Sequence, residues 1–95
     1  MPFMDRFRRK KEDEASRFAR LSKTGRITEG SVLDIKSDDQ DRITHVFYTY
    51  NIAGVEYESS QKLNDEQTGR PASYAPGSSI VVRYDTRQPG NSIVV

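Results

Sequence analysis

Few residues in this sequence are of the types that carry out chemistry in proteins. It has no cysteine and a single histidine, His45, so a zinc site would have to rely almost wholly on carboxylates, which is not how proteins hold zinc. No serine lies in the Gly-x-Ser-x-Gly pattern that exposes a nucleophile on a sharp turn. We therefore predict no catalytic residue, no metal site and no cofactor, and we expect that the protein is not an enzyme.

One acidic cluster, SDDQD over residues 37–41, deserves a separate test for calcium. A calcium loop needs oxygen ligands at alternating positions, a central glycine and a distal glutamate. The cluster lacks both that spacing and the glycine, so we interpret it as a solvated turn.

The N-terminal segment is basic, and the rest of the chain is mildly acidic. Residues 1–24 carry eight Lys and Arg against four acids, a net charge of +4, whereas residues 25–95 carry seven against ten, a net charge of −3. An anionic lipid surface could contact this segment, and so could a nucleic-acid backbone bound without sequence preference. A solvated terminus has the same composition. The candidate membrane or anion contacts are Phe3, Phe7, Arg8, Arg9, Lys10 and Lys11.

An aromatic residue on the outer side of a strand is the best candidate for partner binding. Phe47 lies near Arg42 and His45, and such a side chain can stack a base or accept a partner chain. In a third interpretation, which we favour, the N-terminal helix covers Phe47 through Phe18 and Leu21. The full set of candidate partner-binding residues is Arg42, His45, Phe47, Arg83 and Arg87.

The elements that must position these residues are mostly strands. Residues 5–23 predict a helix that ends at Gly25, and a period of two begins thereafter. We predict five strands with meander-like connections, apart from a long polar loop at 63–78. The strands are expected at residues 27–36, 43–52, 55–62, 79–85 and 92–95.

The register of the central hairpin follows from its two-residue loop, Ala53-Gly54, which places Ile52 opposite Val55. One face of the hairpin then forms the core. Its members are Val46, Tyr48, Tyr50, Ile52, Val55 and Tyr57, and Ile80, Val82 and Tyr84 join them from the fourth strand.

The order and spacing of three segments resemble the domain of unknown function 3592 family. They are TEGSVLDI at 28–35, YTYNIAGVEYESS at 48–60 and YAPGSSIVVRYDTRQPGNSIV at 74–94. The matching positions are Thr28, Gly30, Val32, Tyr50, Ile52, Gly54, Tyr57, Tyr74, Gly77, Ile80, Val82, Tyr84, Asp85 and Pro89. One departure is Thr86, which follows Tyr84-Asp85 where the family has proline. The resemblance implies a small all-β domain without an assigned activity, often flanked by transmembrane helices.

These observations combine into one expectation for the whole chain. It is mainly β: a five-stranded antiparallel small barrel or curled sheet with one N-terminal α-helix. Residues 1–25 form a basic amphipathic helix or arm, and residues 26–95 form the β domain. No apolar run approaches the length of a membrane span, and no secretory signal is expected.

For function, we expect a non-catalytic interaction or accessory module. Its partner is expected to be another protein, with an anionic membrane surface as a further contact. We expect a cytoplasmic location, and peripheral attachment to the membrane stays open. The alternative is a nucleic-acid-binding barrel of the oligonucleotide-binding or SH3-like type. The net charge of −3 on residues 25–95 disfavours that alternative, because it repels phosphate.

Overall fold

The computed structural model describes residues 14–95 of the protein. Its elements in chain order are helix α1, Glu14–Thr24, followed by strands β1, Arg26–Ser37, β2, Ile43–Ile52, and β3, Val55–Lys62. Helix α2, Asp65–Thr68, and a 3-10 helix, Pro71–Tyr74, precede β4, Ser79–Tyr84, and β5, Ser92–Val94. The predicted β fold and its N-terminal helix are confirmed: five antiparallel strands form a curled half-barrel.

The strand order is β3-β2-β1-β4-β5, which corrects the meander expectation. Strands β1, β2 and β3 pair in chain order, and β4 pairs with β5, but β4 also pairs with β1 rather than with β3. The sheet curls so that its two edge strands, β3 and β5, approach each other. A curled sheet covers its own apolar face and so forms a core from few residues.

The segment 63–78, predicted as a polar loop, contains structure and core residues. Asn64 and Gln67 form a capping box at the start of α2, in which the Gln67 backbone N–H donates to Asn64 Oδ1 at 2.8 Å. Leu63, Gln67 and Tyr74 are all buried. The segment carries the chain from the β3 edge across to β1 and packs against the core on the way, which explains why it is not an exposed loop.

The central hairpin has the predicted register, with Ile52 opposite Val55. Ala53 and Gly54 both have positive φ, 52° and 86°, as a two-residue hairpin turn requires. Val46, Tyr48 and Tyr50 are buried as predicted, but Val55 is 52% exposed. The hairpin tip extends beyond the last β1–β2 pair, Gly30 with Tyr50, so Val55 has no neighbouring strand to cover it.

Tyrosine rings fill much of the core. The ring centroid of Tyr50 lies 5.9 Å from that of Tyr48, 5.5 Å from that of Tyr57 and 6.5 Å from that of Tyr84. The rings are stacked in each of these pairs. Gly30 lies beside this stack in β1, and a Cβ there would sit 2.7 Å from Thr49 O and 2.8 Å from a Val82 methyl group. Glycine at this position therefore lets β1 approach its two neighbours.

Candidate partner-binding face

The outer face of the sheet, opposite the tyrosine core, carries four large exposed apolar side chains. They belong to Ile27 and Leu33 of β1, Phe47 of β2 and Val81 of β4, with 59%, 49%, 39% and 46% of their surface exposed, respectively. We call these four residues the outer apolar strip. Large apolar side chains exposed on one face of a sheet are typical of a surface that contacts another molecule.

A β-bulge builds one end of the strip. Val32 pairs with Tyr48, but the next pair is Asp34 with Phe47, so Leu33 is the extra residue in β1. The bulge leaves Leu33 and Asp34 beside Phe47. Ile35 can then pair with Val46 and pack against the core. The bulge thus turns Ile35 to the inner face, while Leu33 stays on the outer face.

Ile27 and Val81 form the other end of the strip, across the β1–β4 pairing. Ile27 lies opposite Arg83 and Glu29 lies opposite Val81, so Ile27 and Val81 are diagonal neighbours on one face. Between the two ends, Ser31 lies opposite both Thr49 and Ser79. Short hydroxyl side chains therefore connect the two apolar pairs across the middle of the face.

Three of the predicted partner-binding residues lie at the Phe47 end. His45 shares the outer face of β2 with Phe47, and its Nδ1 lies 2.9 Å from the Thr44 hydroxyl oxygen. Arg42 precedes β2, and its Nε donates to Asp38 at 3.3 Å. The backbone N–H groups of Arg42 and Gln40 lower the pKa of Asp38, which is typical of a carboxylate that organises a turn.

The other two predicted residues lie elsewhere. Arg83 is on β4 beside Ile27, and its guanidinium donates to the Gly25 carbonyl at 3.0 Å, so it fastens the junction of α1 and β1. Arg87 is in the turn between β4 and β5. Phe3, Phe7, Arg8, Arg9, Lys10 and Lys11, the candidate membrane contacts, lie outside the described residues.

Helix α1 does not cover Phe47, so the favoured interpretation of that residue was wrong. The helix packs against β5 and β4, where Leu21 and Ile93 are almost completely buried. Arg20 forms an ion pair with Asp85 at 3.3 Å, and Arg17 donates to Asn91 Oδ1 at 3.3 Å. The physical reason is that Ile93, on the outer face of β5, is apolar and lies close to the start of β1, where α1 ends. The helix therefore buries Ile93 rather than Phe47.

Sequence analysis identified Phe47 but missed the other three members of the strip. Ile27 and Val81 alternate with core residues and so could have been assigned to the outer face by parity. Leu33 has the same parity, whereas the inward position of Ile35 depends on the bulge and could not have been assigned in this way. A signal of the bulge was present in the sequence, since Val32 and Ile35 are both apolar and three residues apart.

The shifted pKa values in the described part of the chain have their causes in the packing and the turns of the fold. Within residues 14–95, no group of three or more His, Asp or Glu side chains is placed to hold a metal ion. Burial raises the pKa of Tyr48 and of Tyr50. The Arg87 backbone N–H, with Arg20 as a further contribution, lowers the pKa of Asp85. These shifts belong to core and turn contacts.

A known family matches most of the chain. The sequence model of the family described as domain of unknown function (DUF3592) matches residues 23–95, which span the end of α1 and all five strands. The chain belongs to this family. Neither the curated proteins nor the solved structures gave a match. None of the helices described in residues 14–95 is long and apolar enough to cross a membrane.

Proposed function

We propose that this DUF3592 domain is a non-catalytic interaction module that binds a partner protein through the outer apolar strip. One observation carries the proposal: Ile27, Leu33, Phe47 and Val81 are exposed together on one face while α1 packs elsewhere. Burial of such side chains against a partner removes apolar surface from water, which favours association.

The chemistry of the face favours a protein over a nucleic acid. Glu29 lies opposite Val81 and Asp34 lies opposite Phe47, and their carboxylates would repel a phosphate backbone. Arg83, which lies opposite Ile27 on β4, is engaged with the Gly25 carbonyl. Apolar side chains interspersed with polar and charged ones are common in protein–protein contacts.

The test is photo-crosslinking in the native cell. A photoreactive amino acid at position 47 is expected to give one discrete protein adduct. Leu33→Arg should abolish that adduct, because it places a charge beside the aromatic position. Ala72→Arg is the control, since Ala72 is exposed in the 3-10 helix that packs on the core side of the sheet through Tyr74, and it should leave the adduct intact. Equal loss in both variants, or no discrete adduct, contradicts the proposal.

A second proposed contact is between the basic segment, residues 1–24, and an anionic lipid surface. Its net charge of +4 and the aromatic residues Phe3 and Phe7 support this proposal. The full chain should co-sediment with vesicles that contain phosphatidylserine, and not with neutral phosphatidylcholine vesicles. Replacement of Arg8, Arg9, Lys10 and Lys11 by glutamine should abolish binding, whereas Phe47→Arg should not. Binding that survives the glutamine replacements would refute this role of the segment.

A further inference from the structure

The outward edge of β3 exposes backbone groups that the described part of the chain does not use. The two-residue loop makes Ile52 and Val55 a hydrogen-bonded pair, so Val55, Tyr57, Ser59 and Gln61 bond to β2. The Leu63 N–H to Thr44 carbonyl bond, 2.9 Å, continues this alternation. The intervening residues, Glu56, Glu58, Ser60 and Lys62, therefore direct their backbone N–H and C=O groups away from the sheet.

Closure of the half-barrel leaves this edge open. Strand β5 approaches β3 through a side chain: Gln61 Nε2 donates to the Val94 carbonyl at 3.0 Å, and the Val94 N–H donates to Gln61 Oε1 at 2.7 Å. The Gln61 side chain points to the inner face, so β5 lies above that face rather than beside the β3 backbone. Among residues 14–95, no hydrogen bond reaches the backbone groups of Glu56, Glu58 or Ser60.

We infer that this edge pairs with the same edge of a second copy of the chain, as an antiparallel, two-fold symmetric strand pair centred on Ser59. In this register Glu56 of each copy lies opposite Lys62 of the other, and Glu58 lies opposite Ser60. All four are residues with outward backbone groups, so each facing pair exchanges hydrogen bonds. Of the two neighbouring registers, the one centred on Glu58 would place two Glu58 carboxylates opposite each other, which is unfavourable. The one centred on Ser60 would place the apolar Val55 opposite Asp65.

The same register gives the exposed Val55 a contact. It places Val55 of one copy opposite Leu63 of the other. The end of β3 at this point borders a groove of about 540 Å³, whose lining includes the consecutive residues 61–65. Its apolar wall consists of Ala15, Phe18, Leu63 and Ile93. The hairpin tip, which β1 leaves uncovered, thus meets the apolar groove beside α1 of the second copy.

Charge complementarity and a self-complementary edge together favour a second copy over an unrelated strand. Two-fold homodimers are the commonest oligomers, and they require a surface that matches itself. The paired Glu56 and Lys62 satisfy that requirement on both sides of the symmetry axis. The dimer leaves the outer apolar strip on β4, β1 and β2 free, so it is independent of the proposed partner contact.

Sedimentation equilibrium of the full chain over a range of concentrations tests this inference. The wild-type chain should associate to a dimer. Glu56→Lys and Lys62→Glu should each weaken the dimer about tenfold, because each places like charges opposite each other twice. The double exchange Glu56→Lys with Lys62→Glu should restore the wild-type affinity. A wild-type chain that stays monomeric, or a double exchange as weak as the single variants, overturns the inference.

Glu58→Pro tests the backbone pairing directly. It removes an outward N–H that the monomer does not use, so proline should be tolerated there as it is at other strand edges. The variant should keep the circular dichroism spectrum of the wild type and be monomeric. A folded Glu58→Pro chain that still dimerises with wild-type affinity would exclude this pairing.

Discussion

At the scale of single residues, the core depends on polar atoms as much as on apolar area. The hydroxyl of Tyr48 lies 2.7 Å from that of Ser92, and both residues are fully buried. The Tyr50 hydroxyl donates to the Pro89 carbonyl at 2.5 Å. Such bonds hold the β4–β5 turn against the central strands, and a buried hydroxyl without a partner is costly.

Tyr48→Phe should therefore destabilise the fold by about 1–2 kcal/mol, because it leaves the Ser92 hydroxyl buried without this partner. Urea denaturation measures the change. Ser92→Ala in the Tyr48→Phe background should cost less than it does alone, since the two hydroxyls act as a pair. Strictly additive effects would show that the pair contributes nothing.

The raised pKa of Tyr48, which follows from its burial, predicts a dependence of stability on alkaline pH. The unfolded chain releases its tyrosine protons near the ordinary pKa of about 10, whereas the folded chain retains them to higher pH. The contribution of Tyr48 to the free energy of unfolding should therefore be constant below about pH 10 and decrease above it. Tyr48→Phe should reduce that decrease, and an unchanged slope would contradict the assignment.

At the scale of elements, a glutamine side chain replaces strand pairing where the half-barrel closes. The Gln61 amide bonds to both the N–H and the C=O of Val94, as a neighbouring strand would. Gln67, from α2, donates to the same carbonyl at 2.8 Å. The β3–β5 closure therefore relies on two buried amides, one of which is held by the segment 63–78.

Gln61→Met should cost about 2–3 kcal/mol, because it removes two hydrogen bonds and leaves the buried Val94 N–H without an acceptor. Hydrogen exchange should show lost protection at Val94, together with a lower midpoint of urea denaturation. Gln40→Met is the control, since Gln40 is exposed in the β1–β2 turn, and it should change stability by less than about 0.5 kcal/mol. Retained protection of Val94 in Gln61→Met would contradict this account of the closure.

At the scale of the whole molecule, α1 is part of the folded domain. Leu21 is fully buried, and two arginines of the helix reach the β4–β5 turn. The helix covers the outer side of β5, whereas the outer sides of β1, β2 and β4 keep their exposed apolar residues. This division of one face into a covered and an open part produces the candidate binding surface.

Leu21→Ala should reduce the free energy of unfolding by about 2–5 kcal/mol, as expected for a leucine in a packed interior. The loss should appear in urea denaturation of the whole domain as one transition. Ala19→Ser, on the exposed side of the helix, should change stability by less than about 0.5 kcal/mol. A small effect of Leu21→Ala, or separate melting of the helix, would contradict the integration of α1.

The sequence by itself determined the local features of this protein. Residue alternation and turn chemistry predicted the boundaries of β2 and β3 and the turn at Ala53-Gly54. They also predicted that Tyr48 and Tyr50 point inward. These properties depend on neighbours a few residues apart, which the sequence displays directly. The family resemblance over the β part rested on the same local patterns, and the match to residues 23–95 confirmed it.

Only the tertiary structure decided which strands meet at the edges and what covers each face. Four such features join residues that are distant in the chain. They are the pairing of β4 with β1, the bulge at Leu33, the Gln61–Val94 closure and the docking of α1 on β5. Such contacts depend on the curl of the sheet and on which apolar surfaces compete for the same cover. Alternation along a single strand does not contain that information, which is why the exposure of Phe47 emerged only from the packed domain.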